Sequence, residues 1–279
     1  MLEAGRREKF GLLVLAALAC VIALFPLYWI VMTSILPTSI MLSRSPPLLP
    51  RLDAVSFDAY VAVFTRKPLL TWIGNSVLVT LGTMALTLVV SAMAGYSLSR
   101  YRTAAQRAMG FGLLASKMLP GALVVIPFFI MFSTLGLIET RTGLVLANSA
   151  VTVPFATWLL KGFFDAIPRE LEEAAFIDGC GELRAFRHIV LPLARPGLAA
   201  CAAYVAIVTW SDLVFARTLM SRPDHWLITV GLQSFTGEYL VEWSALMAAA
   251  TVSVLPMLVL FALLEPYLVK GMTQGALAN

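Results

Sequence analysis

The chain has 279 residues, of which 59% are hydrophobic and only 13% charged, with a net charge of +4. A soluble domain is about half apolar and a quarter charged, so composition excludes an ordinary soluble protein; with no clustered basic face it also excludes a soluble nucleic-acid binder. Three dispersed cysteines (Cys20, Cys180, Cys201) and two distant histidines (His188, His225) supply neither a disulfide framework nor a metal site.

Taken in chain order, the first element is an uncharged run from Phe10 to Ser43, preceded by Arg6, Arg7 and Lys9. It is far longer than the roughly 7–15-residue core of a cleavable signal and reads as a retained membrane helix over 10–36. Further spans are expected over 72–99, 108–135, 142–164, 196–216 and 244–268, each about the 20 residues that cross a bilayer. The fold class is therefore an all-α polytopic membrane protein with six transmembrane helices. Segment 37–71 is polar and rich in proline. Within it Ser56 is placed to cap a short helix, with Phe57, Tyr60, Val61 and Phe64 on one face. Gly74, Gly82, Gly95, Ser91 and Ala94 suit close helix packing. Lys117 is the single charge in the third span. An intramembrane charge is a functional candidate, or its stem snorkels to the interface.

Lys and Arg set the orientation. With the N-terminus inside, twelve of the twenty fall on inner segments and seven on outer ones, Lys117 belonging to neither. Both termini are then cytoplasmic, as is the charged loop at 165–195.

That loop reads Pro168-Arg-Glu-Leu-Glu-Glu-Ala-Ala-Phe-Ile-Asp-Gly179 and closes with Ile189-Val-Leu-Pro192. Pro168 suits the first turn of a helix, and Glu170, Glu172 and Glu173 complement its dipole. Gly179 and Gly181 stop it. A second helix is expected from Glu182, with Leu183, Phe186, Ile189 and Val190 on one face, until Pro192 and Pro196 turn the chain back. Two short helices at an angle fit a docking element. They fit equally an amphipathic loop held on lipid headgroups by Arg184, Arg187 and Arg195.

The pattern Glu173-Ala174-Ala175, three residues, Gly179, nine residues, Ile189-x-Leu191-Pro192 closely resembles the signature of ABC-importer permease subunits, in their carbohydrate, maltose-permease-like branch. Asn75-Ser76, Met118-Leu-Pro-Gly121 with Ile126-Pro127, and the tail Val269-Lys-Gly-Met-Thr-Gln-Gly275 also resemble that family. The resemblance implies a type I importer fold. It divides the chain into a first helix and periplasmic segment (1–71), a core permease domain (72–268) and a cytoplasmic tail (269–279). It implies that Glu173, Ala174, Ala175, Asp178 and Gly179 form a knob docking in an ATPase cleft, with Ile189, Leu191 and Pro192 anchoring its return.

The implied partners are a second homologous permease, an ABC ATPase dimer, a periplasmic or lipid-anchored solute-binding protein and membrane lipid, in the bacterial inner membrane. This chain would bind no cofactor, ATP and Mg residing on the ATPases, and would not be an enzyme; it has no Gly-x-x-x-x-Gly-Lys-Ser/Thr motif. Trp210 and Asp212 offer ring stacking and hydrogen bonding to a sugar, or an interfacial anchor; Ser211-Asp212 stands where the family usually has Asn-Glu. With Asn75 and Lys117 they are the substrate-pathway candidates. The rival readings are an ABC permease for a non-sugar solute, a membrane enzyme, and an ion-coupled carrier. A carrier would usually show two related halves and midplane carboxylates.

Overall fold

The computed structural model describes residues 6–43, 47–49, 52–101, 103–237 and 241–276. These form α1 (Arg6–Ser34), α2 (Thr38–Met41), α3 (Asp58–Arg66), α4 (Leu69–Arg100), α5 (Ala104–Ser116), α6 (Gly121–Thr134) and α7 (Arg141–Asp165). Then come α8 (Glu170–Ile177), α9 (Glu182–Ala185), a π turn (Phe186–Val190), α10 (Leu191–Leu193), α11 (Arg195–Trp210), α12 (Val214–Leu219), α13 (Ile228–Gln233) and α14 (Trp243–Ala276). No strand occurs among the described residues.

Four of the expected spans are single apolar helices long enough to cross a membrane, within α1, α4, α7 and α14. The other two are broken. The expected helix over 108–135 divides at Lys117–Pro120, because Pro120 cannot continue α5 and instead precedes the first turn of α6. The span expected over 196–216 ends at Trp210, and the chain restarts as α12.

The chain divides into two units. The first comprises residues 1–69 and 232–255. Ser34 bonds Tyr60 at 2.7 Å, and Ser244 bonds both Thr38 and the Leu36 carbonyl at 2.8 Å. The N-cap of α3 is Phe57, not the expected Ser56, and it makes no side-chain cap bond; Ser56 Oγ accepts from the Asp58 amide at 3.1 Å from one residue further out. The face of Phe57, Val61 and Phe64 stays exposed, however, and the residue α3 buries is Val63.

The second unit comprises residues 70–231 and 256–279. Small residues let α4 and α7 approach closely. Gly82 lies against Val145, Gly95 against the backbone of Thr157 and Lys161, and Thr87 bonds Thr152 at 2.8 Å. Around this pair lie two apolar clusters. One joins Val79, Leu144, Phe215 and Leu219; the other joins Leu160, Phe164, Val190 and Val205. Thr140 caps α7, its hydroxyl accepting from Gly143 at 3.0 Å.

Trp72 is fully buried and donates to the Pro223 carbonyl at 2.8 Å. A Cβ on Gly231 would sit 2.1 Å from its ring. Gly231→Ala is expected to destabilise this unit by about 1–3 kcal/mol through overpacking, read as a lowered thermal midpoint of the purified protein.

Candidate functional site

The 165–195 loop is built as a rigid elbow. After α7 ends, Pro168 breaks the chain and α8 starts with three carboxylates in its first turn, favourable to its dipole. Of these only Glu172 turns inward, at 4% exposure. Its Oε1 accepts from Arg100 Nε at 2.7 Å and Nη2 at 2.6 Å, and its Oε2 accepts from the Tyr96 hydroxyl at 2.5 Å. The remaining Arg100 donors reach Ser99 Oγ and the Phe164 and Ile167 carbonyls at 3.0–3.2 Å. Arg169 in turn donates to the Ser99 and Arg100 carbonyls at 3.0 and 3.2 Å, satisfying acceptors that the end of α4 leaves open. Tyr101 donates to Glu182 at 2.9 Å, and that bond holds its phenol above the usual range. The Tyr96 ring packs on Phe186, 4.6 Å between centroids. The end of α4 is thereby fastened to both arms of the elbow.

The bend itself needs Gly179, whose φ of +80° few side chains tolerate. The π turn at 186–190 then shifts the face that α9 began. Ala185 and Val190 are buried, while Leu183, expected to share a face with Val190, is 79% exposed. At Ala194 the chain bends by 76° into α11.

The structure brings the expected docking residues together on α8 and its turn. Glu173, Ala174, Asp178 and Gly179 face outward, and Ala175 packs inward one turn beyond Glu172. Ile189, Leu191 and Pro192 are partly buried in the return arm. Two residues that sequence reasoning did not place there join the outer tip: Ile177, 87% exposed, and Leu183.

The substrate-pathway candidates lie elsewhere. Asn75 is buried, donating to the Asp224 and Trp226 carbonyls and accepting from Arg141, each at 3.0 Å. Asp212 caps α12, accepting from the Phe215 and Ala216 amides at 3.1 and 3.2 Å and from Asn148 at 3.3 Å. Asp212→Ala is expected to lower stability by about 1 kcal/mol, as for loss of a helix cap, visible as a reduced melting midpoint. Trp210 lines an apolar groove with Val77, Leu81, Pro256 and Leu260. Lys117 is not inside a helix; it follows α5 and donates to the Val151 carbonyl.

Glu172, Tyr96 and Arg100 were missed as a unit. The only sequence signal was the crowding of three carboxylates in one turn, of which a helix can turn just some inward. Glu139, a non-glycine at φ 60°, was missed as well. It accepts from the Ser221 and Arg222 amides at 2.6 and 3.2 Å, and its other oxygen lies 3.1 Å from His225 Nδ1.

Apolar helices long enough to cross a membrane, together with a braced polar elbow between two of them, define a polytopic membrane protein. Residues 87–274 match the family described as binding-protein-dependent transport system inner membrane component, and the chain belongs to that family. It is 33% identical to a diacetylchitobiose uptake system permease of Streptomyces coelicolor, over 91% of this chain and 84% of that one. It is 32% identical to a trehalose transport system permease of Mycobacterium tuberculosis, over 98% of each. In architecture it is similar to a bacterial ABC transporter involved in the import of the acidic polysaccharide alginate (TM-score 0.79, 24% identity, 96% of this chain and 99% of that one).

Proposed function

We propose that this chain is the permease subunit of an ATP-driven, binding-protein-dependent importer of a sugar or sugar derivative, and that its elbow transmits ATPase closure to the membrane helices. The observation that carries this reading is the two-sided build of α8: Glu172 roots it in Arg100 and Tyr96, while Ile177 leaves its other end bare. A knob of this kind suits a cleft in a partner. Two ATPases closing would draw two such knobs together and rock the bundles between inward- and outward-open states. ATP and Mg would sit on the ATPases, and this chain would bind no cofactor and carry no catalysis. The second permease and the solute-binding protein complete the assembly. Both termini and the elbow would face the cytoplasm, in line with the Lys and Arg bias. The sugar cargo is supported by the names of the relatives.

Co-expression with the cognate ATPase tests the reading. A detergent-stable complex should form, and Glu173→Lys should break it while membrane insertion persists. Transport by the purified chain alone, without nucleotide, would overturn the proposal.

A further inference from the structure

A cleft of about 1130 Å³ opens among the end of α4, α5, the last two turns of α7 and the start of α8. Its lining is both cationic and apolar: Arg107, Lys161 and Arg169 share it with Phe111, Leu114 and Trp158. Lys161 is paired with Asp165 at 2.5 Å and stands 5.6 Å over the Trp158 ring. Arg169 keeps donors beyond the one it gives to the Ser99 and Arg100 carbonyls. Arg107 is exposed, and its side chain has no hydrogen bond or ion pair among the described residues. Besides Asp165, the lining carries one carboxylate, the exposed Glu170.

Along α5, Arg107, Phe111 and Leu114 fall at i, i+4 and i+7, on one face. Phe111 is 75% and Leu114 47% exposed. Over those seven residues, a rise of about 10 Å, the face passes from cation to bare hydrocarbon. Between them Trp158 is held by its bond to the Gly110 carbonyl at 3.2 Å. Cation, then indole, then hydrocarbon is the profile of a membrane interface. The spans α4 and α7 both end at this cleft, at Arg100 and Asp165.

We propose that the cleft binds one anionic phospholipid, its phosphate on Arg107 and Arg169 and an acyl chain along Phe111 and Leu114. A free phosphate shares the head chemistry but would leave the apolar strip uncovered. Because Arg169 and Glu170 open α8, a bound lipid braces the root of the elbow. The inference is independent of which solute crosses and of what grips the knob.

The test uses the full chain purified with its co-expressed partner subunits in detergent, titrated with phosphatidylglycerol or phosphatidylcholine and read by native mass spectrometry. The wild type should retain phosphatidylglycerol preferentially. Arg107→Gln should weaken that retention about fivefold and Arg107→Glu about twenty-five-fold, the effect expected of one and two charges at an anionic surface; Arg107→Lys should retain it. Should Arg107→Glu fail to purify, Arg107→Gln carries the same reading, since it neutralises an exposed side chain. Equal retention by wild type and the neutralised variant, or equal uptake of phosphatidylcholine, overturns the proposal. So does displacement of the lipid by inorganic phosphate in millimolar excess, which assigns a free-phosphate site. So does a photo-crosslinker at Phe111 that captures a partner subunit, which assigns a protein interface.

Discussion

Glu172→Ala should destabilise the second unit by about 3–5 kcal/mol, because it removes one member of a buried ion pair and strands the other. Arg100 and Glu172 have side chains only 9% and 5% exposed. Arg100 is held in place by three further acceptors and cannot swing out to water. Tyr96→Phe, which removes one hydrogen bond and keeps the ring on Phe186, should lower stability by about 1 kcal/mol. Thermal midpoints of the detergent-solubilised protein measure both. In proteoliposomes with the ATPase, Glu172→Ala should also let hydrolysis proceed with less transport per ATP, since the knob is no longer rooted in α4. A Glu172→Ala protein that melts with Glu173→Ala and transports normally would show that the clamp carries neither stability nor force.

Ile177→Asp combined with Leu183→Asp should abolish capture of the ATPase with little change in folding. Both side chains are largely exposed, so charge on either should alter the chain's own stability by no more than about 0.5 kcal/mol. In the proposed contact the two would act as hot spots, which cost about 2 kcal/mol each when lost, so the pair should weaken association by roughly three orders of magnitude at 1.4 kcal/mol per decade. Co-purified ATPase across a concentration series is the readout. Undiminished capture by the double variant would place the contact elsewhere.

Much of the membrane architecture was legible in sequence because apolar runs such as 10–34 leave one reading. The break at Lys117–Pro120 was hidden by hydropathy, which continues across it through Met118 and Leu119. Its signals were local: a charge, then a proline beside Gly121. The elbow was legible as a motif, and its bend followed from Gly179. Its inner face was not, because the π turn at 186–190 departs from the 3.6-residue period on which a face is counted. Glu172 and Arg100 are 72 residues apart, and no local pattern announces such a pair. Asp212 was visible as a polar residue closing a span, yet the α12 it caps begins inside the stretch read as one helix over 196–216.

The 76° turn at Ala194 joins arms that share a single apolar cluster. Phe164 and Ile167 enter it from the end of α7 and beyond, Val190 from the loop, and Cys201 and Val205 from α11. Close-packed interiors yield very little under load. In the proposed importer, a push delivered at the tip would therefore meet no slack. It would reach α7 and α11 together, as torque on a stiff crank rather than as bending of a tether.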